Sequence, residues 1–143
     1  MRIVFTNGCF DLLHAGHVYL LREARKLGDV LVVGLNTDRS VKGLKGPSRP
    51  LVSENDRADA IAGLENVNYV VLFDEPDPLS LIRQIRPDVL VKGDDYKESE
   101  VVGADYVKSY GGVTQLIPLR TGHSTSALLE KIRSVAGGGK SAD

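Results

Sequence analysis

The run Val30–Leu35 (Val-Leu-Val-Val-Gly-Leu) narrows the possible folds more than any other stretch of the chain. It is rich in β-branched residues and nearly all apolar, so a strand built from it has no face to offer to water. Strands buried on both faces belong to parallel sheets covered by helices. The rest of the sequence alternates accordingly. Arg2–Thr6 is a short apolar run stopped by Asn7-Gly8, and Tyr69–Phe73, Asp88–Val91 and Val113–Pro118 read as three further strands. Val18, Leu20, Leu21, Ala24 and Leu27 recur at helical spacing until Gly28. Further helices are expected from Ser53 to Leu64, with Asp56 placed for a capping box, from Pro78 to Arg86, from Ser99 to Tyr110 despite Gly103, and from Ser124 to Ala136. Asn36–Leu51 is polar and punctuated by Gly and Pro, and reads as a mobile loop with at most a short helical turn. The glycine-rich stretch 137–143 has no pattern and is expected to be a disordered tail, leaving one domain over 1–136. The expected fold class is α/β: a doubly wound, five-stranded parallel sheet with right-handed crossovers. Ligands bind such sheets at the carboxyl ends of the strands, which directs attention to the polar loops there.

Composition removes several alternatives. With 143 residues, 42% hydrophobic and 26% charged, the chain is neither a disordered, a fibrous nor a membrane-spanning sequence. A formal net charge of −1 and 6% aromatic residues argue against a nucleic-acid partner, which calls for a basic surface and stacking side chains. The single Cys9 rules out an internal disulfide and a cysteine-cluster zinc site. Met1-Arg2-Ile3-Val4-Phe5 opens directly into a strand pattern rather than a signal peptide, so a cytoplasmic location away from membranes is expected.

The segment that carries chemistry is Thr6-Asn7-Gly8-Cys9-Phe10-Asp11-Leu12-Leu13-His14-Ala15-Gly16-His17. A strand ends, a glycine turn follows, and two histidines three apart stand at the entry to a helix. That spacing puts both imidazoles on one face. Gly16 leaves room for a ligand to approach the backbone, and the helix N-terminus supplies N–H groups and a positive dipole end. Together these make a phosphate cradle with two imidazole donors. Zinc ligation by the pair would need a third ligand from elsewhere and would give Gly16 no role.

Gly8–His17 resembles the His-x-Gly-His signature of the cytidylyltransferase-like nucleotidyltransferases, and Ser124-Thr125-Ser126 resembles that family's hydroxyl cluster at the last helix. Within the family, Leu44-Lys45-Gly46-Pro47-Ser48-Arg49-Pro50, Arg86–Gly93 and Val102–Gly112 are most similar to the adenylyltransferase domain of heptose 1-phosphate metabolism. The resemblance implies a Rossmann-like nucleotidyltransferase fold. It implies transfer of AMP from ATP to a sugar 1-phosphate, D-glycero-β-D-manno-heptose 1-phosphate, with pyrophosphate leaving. That domain is often fused to a sugar kinase, and the present length suits a stand-alone form. Two stretches depart from the pattern. Lys92-Gly93-Asp94-Asp95 stands where heptose adenylyltransferases read Lys-Gly-Gly-Asp, and with Arg120-Thr121 it is similar to the glycerol-3-phosphate cytidylyltransferases. A CTP-dependent transferase of a small phosphate is therefore the alternative enzyme. A non-catalytic nucleotide sensor is the alternative from another class, although His14, His17 and Lys45 are all retained.

On this resemblance, His14, His17 and Lys45 are the catalytic candidates: the imidazoles donate to the triphosphate and Lys45 neutralises the reacting phosphates. Asn7, Gly8, Cys9, Phe10 and Gly16 join the histidines in the nucleotide site, with Lys92, Gly93 and Asp94 at base and ribose. Ser124 and Thr125 take the distal phosphates, a role compatible with plain helix capping, and Arg120 is a further nucleotide-binding candidate. Cys9 is read as a packing residue. Asp11, Asn36 and Asp38 follow the first two strands and could bind sugar hydroxyls, with Lys42 and Lys45 beside them. Arg57 is either half of a surface ion pair or, as the resemblance favours, a phosphate ligand. Magnesium is implied, held mainly by substrate phosphates. Asp11 is the nearest carboxylate to it, and no dedicated metal site is visible in the sequence. The resemblance also implies a homodimer.

Overall fold

The five strands form one parallel sheet in the order β3-β2-β1-β4-β5, with β1 at Ile3–Gly8, β2 at Val30–Asn36, β3 at Tyr69–Phe73, β4 at Val89–Gly93 and β5 at Val113–Ile117. This is a computed structural model, and it describes residues 1–119 and 125–138; of the latter, the side chains of Thr125, Ser126, Ala127 and Gly138 lie outside the description. The helices are α1 (Ala15–Arg25), α2 (Asp38–Lys45), α3 (Glu54–Ala62), α4 (Leu79–Ile85), α5 (Ala104–Ser109) and α6 (Thr125–Gly138). α6 continues through Gly137 and Gly138, past the expected end at Ala136, and residues 139–143 of the expected tail lie outside the described residues.

The apolar runs are explained by burial on both faces. β1 pairs with β2 in register Ile3↔Val30 through Gly8↔Leu35. Alternate residues feed two cores: Val4, Leu31, Val33, Val89 and Val91 meet Leu21, Ala24 and Ile61 on one face. Phe5, Val32 and Leu90 meet Leu81, Ile82 and Val107 on the other. Gly34, the gap in the apolar run, is there for space. A Cβ at this position would meet Phe5 Cζ at 2.8 Å and Leu81 Cδ2 at 3.2 Å. The chain reverses its order across the sheet between β1 and β4, and a crevice opens there at the carboxyl ends of the strands.

Four expectations need correction. Asn36–Leu51 is not a loop with one turn at most: α2 fills half of it, started by Thr37, whose side chain accepts from Ser40 N, and anchored by buried Ser40 and Val41. Its two glycines and short polar run mask a helix that one apolar contact and one cap suffice to hold. The helix expected at Val18 begins at Ala15, because His14 itself is the N-cap. The helix expected over Ser99–Tyr110 is interrupted. Gly103 sits at φ 90°, with its α-hydrogen side against Ile82, and separates a 3-10 turn at Glu98–Glu100 from α5. Ser53 does precede α3, but its side chain makes no cap hydrogen bond, so the capping box with Asp56 is not formed.

Candidate active site

The two histidines cap α1 reciprocally. His14 Nδ1 accepts from the N–H of Gly16 at 3.1 Å, and His17 Nδ1 accepts from the N–H of His14 at 3.3 Å. This is a capping box written in imidazoles instead of hydroxyl and carboxylate. The rings stack with centroids 3.7 Å apart. Because each Nδ1 serves as an acceptor, the neutral rings carry their proton on Nε2, so the cap fixes the tautomer that can donate. Burial pushes the His17 pKa down to about 4, with the nearby His14 and Lys45 adding like-charge repulsion. Phe10 meets the His17 ring edge-on at 5.0 Å and holds a left-handed backbone, φ 46°. Its ring also lies against Gly8, where a Cβ would come within 2.9 Å. The glycine after the strand therefore exists to admit Phe10, which in turn backs His17. Gly16 differs from expectation in one respect: its N–H is spent on the cap rather than offered to a ligand.

These residues line an open pocket of about 320 Å³ in the crevice between β1 and β4, large enough for part of a nucleotide. Of the expected nucleotide-binding residues, Asn7, Gly8, Cys9, Phe10, His14, Gly16, His17, Lys92 and Gly93 are all on its wall, and Lys45 reaches it from the end of α2. Lys92 donates from Nζ to the Asn7 carbonyl at 2.9 Å and stands 5.2 Å from the Tyr96 ring centroid. Burial lowers its pKa to about 8, against the pull of Cys9 and Asp95. Asn7 Oδ1 is buried without a hydrogen-bond partner among the described residues. Such an atom on a pocket wall awaits a donor.

Other expected residues are brought elsewhere. Asp11 borders the pocket, but its carboxylate is 1% exposed and faces the return segment 49–52. It accepts from Arg49 Nε at 2.7 Å, Leu51 N at 2.9 Å and Val52 N at 3.0 Å. Burial opposes ionisation of this carboxyl, yet the two backbone donors and Arg49 outweigh it and lower the pKa. A carboxylate so occupied has no lone pair to spare for a sugar hydroxyl or a magnesium ion. Asn36 is buried and donates to Ser40 Oγ. Arg57 is not a surface residue and is not on the pocket wall: it is 1% exposed, bonded to the carbonyls of Cys9, Asn36 and Val52 and to Asp38 Oδ1. Asp38 is thereby committed to Arg57 and lies away from the pocket. Lys42 is exposed on α2 outside the pocket wall. Asp94 turns to the loop after β5, accepting from Leu119 N at 3.1 Å, and does not line the pocket. Arg120 and Ser124 lie outside the described residues, as does the side chain of Thr125.

The wall also contains Thr6, Leu20, Asp95, Tyr96 and Leu119, which sequence reasoning did not single out. Asp95-Tyr96 directly follows the quoted Lys-Gly-Asp, so distance from a strand end could have found it. Leu119 carried no signal, since an exposed leucine past a strand looks like any other loop residue. Among the described residues no group of three His, Cys, Asp or Glu could hold a metal ion. The remaining donor set suits an ion held mainly by phosphate oxygens, with Asp95 as the pocket carboxylate left to assist.

A doubly wound sheet with a histidine-capped helix and two lysines on the pocket at its switch point is the architecture of a nucleotidyltransferase, and the comparisons agree. The chain belongs to the cytidylyltransferase-like family, whose model matches residues 5–134. It is 61% identical over 133 residues to the bifunctional protein HldE of Methylobacillus flagellatus, covering 93% of this chain and 27% of the relative. It is 59% identical over 130 residues to HldE of Syntrophotalea carbinolica, covering 91% and 26%. The chain thus spans about a quarter of the length of the curated relatives it matches. A crystal structure of a lipopolysaccharide core biosynthesis protein from Thermoplasma volcanium superposes with a TM-score of 0.68 at 31% identity, covering 84% of this chain and 97% of that one. No helix among the described residues is long and apolar enough to cross a membrane.

Proposed function

We propose that this chain transfers AMP from ATP to D-glycero-β-D-manno-heptose 1-phosphate, releasing pyrophosphate and ADP-heptose. The observation that carries the reading is the stacked His14–His17 pair, its Nε2 donors set by the helix cap, sharing one pocket with Lys45. A sugar-phosphate oxygen attacks the α-phosphorus of ATP, and the bond to the β-phosphate bridging oxygen breaks. The attacking phosphate, with a second pKa of about 6, is already an anion at neutral pH and needs no general base. Two polyanions must instead be brought together and the growing charge on the α-phosphoryl oxygens met by fixed donors. His17, held neutral by burial, donates from Nε2 without a titration near pH 7. His14 offers its Nε2 one helical turn earlier, and Lys45, on the wall of the same pocket, neutralises the phosphates. Lys92, Asp95, Tyr96 and Leu119 surround the end of β4 where base and ribose are expected. A magnesium ion, held by the phosphates and assisted by Asp95, would supply further charge neutralisation. Ser124 and Thr125 as ligands of the leaving pyrophosphate and Arg120 as a nucleotide ligand remain part of the reading, as does a homodimer.

Of the two features favouring CTP, Asp94 accepts from Leu119 N and is off the pocket wall, while Arg120-Thr121 lies outside the described residues. The position of Asp94 favours reading it as a tolerated variant of the ATP-dependent pattern. The heptose phosphate as acceptor rests on the resemblance carried by Leu44–Pro50, Arg86–Gly93 and Val102–Gly112, and the lipopolysaccharide core protein of similar fold fits a sugar acceptor. The test is pyrophosphate release with magnesium, crossing ATP and CTP against the heptose 1-phosphate and glycerol 3-phosphate. Turnover with ATP and the heptose phosphate alone is expected. Turnover confined to CTP would overturn the choice of nucleotide, and failure of the heptose phosphate with either nucleotide would overturn the choice of acceptor.

A further inference from the structure

We propose that Arg57 and Asp11 are positioning residues that set Lys45 against the histidine pair by fastening the return of the 36–52 excursion to the loop after β1. Lys45 is the last residue of α2, and of the eight residues of that helix only Ser40 and Val41 are buried. Burial therefore anchors only its first half. That half is also tied to the exit of β3, through Thr37 Oγ1 to Asp74 at 2.6 Å and Ser40 Oγ to the Glu75 carbonyl at 2.8 Å. Among the described residues no such side-chain bond holds the Lys45 end, where Gly43 and Gly46 have open space on their side-chain side.

What holds that end is the polar fastening beyond it. Asp11 accepts the N–H groups of Leu51 and Val52 and the guanidinium of Arg49. Arg57 takes the Val52 carbonyl at 2.8 Å, so this one residue is gripped from both its N–H and its C=O. The same guanidinium reaches Asn36 O at 2.8 Å, Asp38 Oδ1 at 2.7 Å and Cys9 O at 2.7 Å. Arg57 therefore touches both ends of the excursion and the pocket wall at once. Only a planar, multiply donating cation can do that, and Lys has a single nitrogen to spread over four acceptors. Cys9 and Asp11 flank Phe10, whose ring backs His17. The fastening thus joins the Lys45 arm to the element carrying the imidazoles. Neither residue touches substrate in this scheme; both act through Lys45.

The proposal rests on the reading of Lys45 as a phosphate-neutralising residue, but its geometric half can be tested without substrate. Lys45 depresses the pKa of His17, so the His17 imidazole titration, followed by NMR on the whole chain, gauges how near the ammonium stands. Lys45→Ala should raise that pKa. Arg57→Lys should raise it in the same direction with Lys45 intact, and the double variant Arg57→Lys/Lys45→Ala should rise no further than Lys45→Ala. Asp11→Asn, which keeps one acceptor oxygen for the backbone donors, should give a smaller shift and serves if Arg57→Lys does not fold. In turnover, Arg57→Lys should lower kcat by about 10²-fold, the scale of an ångström's misplacement, and should cost nothing further in the Lys45→Ala background. Arg57→Lys that unfolds more easily yet leaves the His17 titration unmoved, with kcat losses that multiply with Lys45→Ala, would overturn the proposal. An unmoved titration in Lys45→Ala would overturn it too, because Lys45 would then not stand against the pair. Absence of turnover with every substrate pair would sink the proposed activity while leaving the titration result to decide the positioning.

Discussion

Acidification should weaken this fold through His17. The folded pKa of His17 lies at about 4 against 6.5 in the open chain. Between those values the unfolded chain binds the proton and the folded chain does not, so stability rises with pH across the window. The contribution is complete above about pH 6.5 and is lost as pH falls to about 4. At about 1.4 kcal/mol per pH unit the gap is worth about 3 kcal/mol, and water at the open pocket mouth reduces the expectation to about 2 kcal/mol. Asp11 has a lowered pKa, so its contribution is lost only below the ordinary carboxylate range, and Lys92 acts only on the alkaline side. The control is His17→Gln. Glutamine at the third position of a helix can still reach back to the N-cap N–H, so the cap survives while the titration is removed. Urea unfolding of both proteins from neutral pH to about pH 4 should show the wild type losing about 2 kcal/mol more than the variant. Parallel pH profiles for the two proteins would refute the reasoning, since His17 would then titrate alike folded and unfolded.

Other perturbations follow from single contacts. His17→Ala should lower kcat by at least about 10²-fold, the scale for one preorganised donor, with the fold retained by circular dichroism. His14→Ala should do likewise and also cost about 1 kcal/mol in urea unfolding, because the N-cap acceptor for Gly16 is lost. Gly34→Ala, far from the chemistry, should destabilise by about 1–3 kcal/mol, since the new methyl meets Phe5 and Leu81 in a filled core. Lys92, with its pKa lowered to about 8 by burial, should titrate well before the other lysines in an NMR experiment on reductively methylated protein. Stability should then rise with pH from about 8 toward 10.5, where the unfolded chain still holds the proton.

The sheet was legible because its evidence is local and redundant. Val30–Leu35 had to be covered on both faces whatever the tertiary detail, and Tyr69–Phe73 is a strand with the ends expected of it. The histidine pair was legible for a related reason: a cap is a local structure, and His14-Ala15-Gly16-His17 closes on itself within one turn. α2 was not, because its N-terminal half is held by hydrogen bonds to Asp74, Glu75 and Arg57, all distant in sequence. Gly103 was passed over as a tolerated helix glycine when its left-handed backbone stops the helix.

The charged residues divide along the same line. Asp11, Asp38 and Arg57 stand beside the signature and the strand ends, where ligand-binding residues are expected, and their types suit sugar and phosphate. What separates them from Lys45 and Lys92 is the direction each side chain takes, which depends on where residues 49–52 return. With that return in place, Asp11 and Arg57 are enclosed by backbone donors and acceptors whose removal would leave a buried charge unmatched. Lys45 has no such enclosure and reaches the pocket. Under the proposed activity the cations that act must keep their charge for polyanionic substrates, whereas the Arg57 guanidinium is bonded to three carbonyls and a carboxylate and so serves the architecture. The consequence for catalysis is that Arg57 can matter to turnover without meeting a phosphate, through the place it gives to Lys45.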